Sequence, residues 1–232
     1  MDLYAAFADV ARPAELHGCP CCVASDEGRP LLARPLRDLT AEDLARYAAK
    51  ALSTWGGPED FRYFAPRLLE LAADDAFGYR LDAEVIFIKL GEAGWRDWPQ
   101  REAIVDFFHA FWTRTLAAFP ARPSVGTALC ALGGAGADMG PLLDEWGTLT
   151  SEQAIRHLHE FVSLDMVWRH GRPRLSNAFW DTSSRPSRQV IAWLTGGPAA
   201  GAVSAAFARM EGEAALHLLA EIDSRVRPPD SP

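Results

Sequence analysis

The chain has 232 residues, 49% of them hydrophobic, enough for one large domain or two small ones around a real core. Its net charge of −8 argues against a general affinity for nucleic acid or a membrane surface. Met1-Asp2-Leu3 opens no signal peptide and no apolar run nears the ~20 residues of a membrane span, so a soluble protein of the reducing cytoplasm is expected.

The predicted elements are helices throughout, and no strand is expected. A short helix covers Asp2 to Ala11. Residues 12–38 form a long irregular segment rich in Pro and Gly that carries His17-Gly18-Cys19-Pro20-Cys21-Cys22; a loop this long in a compact domain is functional, pinned by a metal, or disordered. Thr40-Ala41-Glu42-Asp43 reads as a capping box, opening a helix with Leu44, Tyr47, Ala48, Ala51, Leu52 and Trp55 at helical spacing. Gly56-Gly57 ends it, and Pro58 restarts a helix that Pro66 should kink or split. Asp82 caps the next helix, which is apolar nearly all round and therefore expected to be buried. Pro99 suits a first turn before the stripe Ile104, Phe107, Phe108, Phe111, Trp112, Thr115, Leu116, Phe119. Further helices are expected over Ser124 to Leu132, Pro141 to Trp146, and from a second capping pattern at Thr150 to about Trp168. Residues 169–188 read as a polar, arginine-rich connection, followed by helices over Pro186 to Leu194, Pro198 to Met210 and Glu213 to Val226. Three parts are thus expected: an N-terminal helix with a Cys-rich segment (1–39), a helical-repeat-like domain (40–226) and a disordered tail (227–232).

The helix ends repeat. Ala51-Leu52-x-x-Trp55-Gly56-Gly57 is echoed by Ala128-Leu129-x-x-Leu132-Gly133-Gly134, and each is followed by a proline entering an apolar-acidic run, at Pro66 and Pro141. Leu90-Gly91 marks a third helix end between them, so the marks lie about 35 and about 42 residues apart, near the period of two-helix solenoid repeats. Over residues 40–150 this pattern resembles HEAT-like helical repeats. The resemblance implies an all-α, right-handed solenoid-like stack of roughly nine or ten helices, with a compact irregular bundle as the alternative, and a concave surface for a protein or peptide partner. The Gly-Cys-Pro-Cys-Cys cluster together with Thr-Ala-Glu-Asp-Leu-Ala-Arg-Tyr and Thr54-Trp55-Gly56 also looks like a group of bacterial proteins that brings no activity with it.

Three of the four cysteines lie within one tetrapeptide. His17, Cys19, Cys21 and Cys22 have the donor types of a zinc site, and Cys19-x-x-Cys22 is the spacing of a two-ligand knuckle. A second Cys-x-x-Cys is missing, and Cys130 is the only other cysteine. Cys19-Pro20-Cys21-Cys22 resembles the opening of zinc-ribbon-like proteins, which carry a second pair downstream. It also matches the Cys-Pro-x-Cys of glutaredoxin-type sites, although no strand precedes it. A metal centre, a redox dithiol at Cys19 and Cys22, and an inert loop therefore all stay open.

Asp165 falls on or near an apolar helical stripe, where a buried carboxylate must pair, protonate or bind a metal; an arginine partner is the ordinary outcome. Arg169, Arg172, Arg174 and Arg185 form the one basic concentration of the chain, able to hold a phosphate or an acidic peptide, with Trp180 as a stacking surface; a solvated loop is the alternative. His157 with Glu160 and Asp106 with His109 have the i, i+3 spacing of carboxylate-bridged metal sites in helical bundles, with a solvated face as the better reading, and Glu213 with His217 and Glu221 read as a wet surface. No P-loop, Gly-x-Ser-x-Gly or His-Glu-x-x-His is present. The expected function is a non-enzymatic interaction protein with a zinc-holding N-terminal segment. A thiol-redox enzyme or sensor is the alternative, and helical-repeat nucleic-acid processing a weaker one.

Overall fold

The computed structural model describes residues 2–226; the tail expected at 227–232 lies outside the described residues. It is mostly helical, with twelve α-helices and one two-stranded sheet among the described residues. The chain divides into two compact units, residues 1–110 and 111–232.

The first unit begins with α1 (Leu3–Ala6), shorter than expected, whose C-cap Phe7 sets its ring edge-on to Trp98 at 6.1 Å. The cysteine segment is not wholly irregular: it contains α2 (Arg29–Ala33) and a 3-10 turn over Leu36–Asp38. Leu16, Val23 and Leu31 from this segment are buried, so it folds onto the unit that holds α3 (Ala41–Lys50), α4 (Pro58–Ala73) and α5 (Ala83–Glu92). The capping box forms as the sequence dictates: Asp43 N–H donates to the Thr40 hydroxyl at 3.2 Å, and Thr40 N–H donates to the Asp43 carboxylate at 2.8 Å. α4 is one continuous helix through Pro66 rather than two. α5 is buried as expected, with Ile86, Phe87 and Leu90 inaccessible to solvent. Tyr47 lies against Phe64 (4.6 Å) and Trp55 (5.5 Å) at the centre of this core. The division between units falls inside α6 (Arg101–Ala117).

The second unit contains α7 (Val125–Gly134), α8 (Met139–Thr148) and α9 (Glu152–Glu160). Its core is built on tryptophans. Trp146 stacks on Trp193 at 5.3 Å, and Trp112 Nε1–H donates to the Leu142 carbonyl at 2.8 Å. α9 is capped by Ser151, not Thr150, and does not reach Trp168. After Glu160 the backbone widens into a π-turn over Phe161–Asp165 and then becomes a hairpin of β1 (Met166–Arg169) and β2 (Arg172–Leu175), which overturns the expectation of no strand. The reason is local. His170 and Gly171 both take positive φ (51° and 70°), the two-residue turn whose twist suits a hairpin. Four-residue strands with arginine at alternate positions carry too little apolar alternation to stand out in the sequence. Register pairs Met166 with Leu175 and Trp168 with Pro173 on one face, and Val167 with Arg174 and Arg169 with Arg172 on the other. The unit closes with α10 (Arg185–Thr195), α11 (Pro198–Phe207) and α12 (Glu213–Val226), near the expected bounds. No single described helix is long and apolar enough to cross a membrane.

Candidate metal centre

Cys19-Pro20-Cys21-Cys22 forms a tight turn. Pro20 presets its second position, and the Cys22 N–H closes it on the Cys19 carbonyl at 2.9 Å. Val23 N–H donates to the same carbonyl at 2.9 Å. The turn is tied to the chain after α3 by two backbone bonds, Cys19 N–H to Thr54 O (2.8 Å) and Gly56 N–H to His17 O (2.7 Å). Gly18 is required by close approach: a β-carbon there would lie 2.8 Å from Val23 Cβ.

Both lysines of the chain hold this region. Lys50 Nζ donates to the Cys22 carbonyl at 2.8 Å. Lys89, buried in α5, donates to the Ala51 carbonyl at 2.6 Å, and burial lowers its pKa. Arg46, one turn before Lys50 on α3, also reaches the Cys22 carbonyl (3.3 Å) and pairs with Glu27.

The result is a compact trio of sulfurs. Cys19 Sγ lies 2.9 Å from Cys21 Sγ, and Cys21 Sγ lies 3.5 Å from Cys22 Sγ; all three fall within 4.8 Å of one another. No cysteine is in a disulfide. Tetrahedral zinc with bonds of about 2.3 Å places its sulfurs about 3.8 Å apart, so this trio can close on one ion with small adjustments. The thiols are not equivalent. The Cys19 thiol is pulled below its ordinary value by donation from the Cys21 thiol and N–H, with further help from Cys22. The Cys21 thiol is pushed up to about 11, because its proton is held by Cys19 and then Cys22. Cys19 thus ionises before Cys21.

His17 is outside this group: its carbonyl pairs with Gly56, and its side chain stays exposed. Cys130 is a buried core residue of α7, 1% exposed. Among the described residues, the group able to hold a metal is therefore Cys19, Cys21 and Cys22.

The other predicted residues do not assemble into one site. Arg169, Arg172 and Arg174 share the exposed outer face of the hairpin. Arg185 pairs with Asp138 at 3.6 Å. Trp180 is no stacking surface: it is 7% exposed, and its ring packs so closely on α7 that a β-carbon at Gly133 would lie 2.5 Å from Cζ3. Asp165 sits in the π-turn, not on a helical stripe, and its carboxylate lies against Gly126 in the first turn of α7, where the helix dipole favours negative charge. His157 is fully buried rather than wet, with Nε2 2.8 Å from the Ala118 carbonyl. That contact fixes the proton on Nε2. Sequence reasoning missed Arg46 and Lys50, which hold the turn at the Cys22 carbonyl, and Lys89, which holds the Ala51 carbonyl beside it. The rarity of lysine in the chain was the available signal.

Comparison with protein-family models, with curated proteins and with solved structures finds no match to this chain.

Proposed function

We propose that the chain is a cytoplasmic, non-enzymatic interaction protein whose N-terminal segment is locked by a zinc ion on Cys19, Cys21 and Cys22. The single observation that carries this reading is the convergence of three sulfurs outside any disulfide, within 4.8 Å, on a turn tied by backbone bonds to the end of α3. Thiolates bind zinc strongly once deprotonated, and the Cys19 thiol is pulled below its ordinary value. The helical body, read as a solenoid-like stack, would offer a groove to a protein or peptide. What supports that part is the repeated helix-end pattern of residues 40–150 and the absence of a catalytic motif in the sequence. Metal analysis of protein purified without an affinity tag tests the reading. Close to one equivalent of zinc, lost in a Cys19→Ser, Cys22→Ser variant, is expected; reactive thiols with no bound metal would overturn it.

A second reading has its own observation. Cys19 and Cys21 sulfurs at 2.9 Å, with one thiol depressed and the other raised, suit a dithiol that exchanges with disulfides. The pair differs from the Cys19/Cys22 pair that the spacing suggests. Mass mapping after mild oxidation separates the two readings: a Cys19–Cys21 disulfide formed in zinc-loaded protein as fast as in stripped protein favours the dithiol.

A further inference from the structure

Structural zinc sites are closed by four protein ligands, whereas three protein ligands leave one position for a molecule from solution. Cys19, Cys21 and Cys22 supply three, and no fourth Cys, His, Asp or Glu joins them among the described residues. The trio is accessible to solvent, because Cys21 is exposed and Cys19 and Cys22 are only half-buried. Charge also has a say. Three thiolates on a divalent ion leave one net negative charge, and Arg46 and Lys50 both reach the Cys22 carbonyl from α3. Arg46 is already paired with Glu27, so Lys50 alone offsets that excess, and the choice of donor at the remaining position rests on softness. A soft ion already bound by sulfur prefers sulfur there too.

Resting on the metal reading above, we propose that the ion held by Cys19, Cys21 and Cys22 keeps its fourth position for a small thiolate drawn from solution. The ligand is a low-molecular-weight thiol. On binding, its sulfur gives an electron pair to the ion in place of a water molecule, which leaves to solvent together with the thiol's proton; nothing is oxidised or reduced. The centre is then a thiol-binding or ligand-exchange site rather than a closed structural one.

Cobalt(II) replaces zinc and reports its ligands by absorption. The full-length, tag-free, reduced chain is loaded anaerobically with cobalt and titrated with 2-mercaptoethanol. The expected result is a saturable shift of the visible bands, with sulfur-to-cobalt charge transfer rising in proportion as three thiolates become four. The added thiol should leave cobalt on the protein and be reversible on its removal. Cobalt bands that ignore a large excess of thiol would overturn the proposal while leaving the metal centre standing. So would dimerisation on loading, seen by light scattering, since a second copy would then fill the position. If cobalt gives no tetrahedral bands at all, the metal reading fails and takes this proposal with it.

Discussion

Replacing Gly18 by alanine sets the thiolate turn against its own neighbour. The added carbon would lie 2.8 Å from Val23 Cβ and 3.0 Å from Cγ1, against an ordinary carbon–carbon contact of about 3.5 Å or more. Val23 cannot simply recede, because it is 6% exposed and its N–H is bonded to the Cys19 carbonyl. Relief must come from opening the Cys19–Cys22 turn, which moves the sulfurs apart. Overpacking of this kind costs about 1–3 kcal/mol. If the strain is released in the metal-free loop and felt in the loaded one, metal affinity falls roughly 5- to 150-fold at about 1.4 kcal/mol per tenfold. Competition against a chromophoric chelator measures that affinity, and thermal melting of the loaded and stripped protein measures the stability. Gly57→Ala is the matched control, because no atom lies within 4 Å of its added carbon. A Gly18→Ala protein that binds zinc as tightly as the unaltered chain, with unchanged melting, would refute the link between this close approach and the site.

Limiting iodoacetamide on stripped, reduced protein near neutral pH should modify Cys19 ahead of Cys21, although Cys21 is more exposed; peptide mapping reads the order, which should fade as the pH nears about 11. Zinc affinity should rise with pH over the same range, since each thiol must lose its proton to bind, and chelator competition at several pH values checks it. Asp43→Asn should cost about 1 kcal/mol near neutral pH by weakening the cap of α3. The Asp43 carboxyl is held below its ordinary 3.8 by the Thr40 N–H, then the Thr40 hydroxyl and Arg34. Its contribution is therefore present above that value and lost as the pH falls through the lower folded one, so urea unfolding curves of variant and parent should converge in acid. Trp180→Ala should cost about 3–5 kcal/mol by emptying a packed site on α7; a variant of undiminished stability would return Trp180 to the surface.

Capping and periodicity made most helices legible. Thr40, Pro58, Ser124, Pro198 and Glu213 lie at or next to helix starts because N-terminal chemistry is local: a side-chain oxygen, a fixed φ or an acidic first turn acts within four residues. Residues 161–175 were misread for the complementary reason. A continued α-helix and a π-turn followed by a hairpin satisfy the same short stretch of backbone, and the choice is made by burial of Phe161, Met166 and Leu175 in the second unit. Trp180 and His157 went the same way: an aromatic ring and an imidazole suit surface or core equally, and only neighbours distant in sequence, Gly133 and Ala118, settle which.

For the candidate centre, the sequence by itself determined that three thiols share one tetrapeptide, since nearness along the chain forces nearness in space. Only the tertiary structure decided that His17 is left out and that Cys130 is a core residue. Those outcomes depend on where a turn is tied. The bonds that tie it, from Cys19 to Thr54, from Gly56 to His17 and from Lys50 to Cys22, join residues that are 28 to 39 positions apart, beyond the reach of any local pattern.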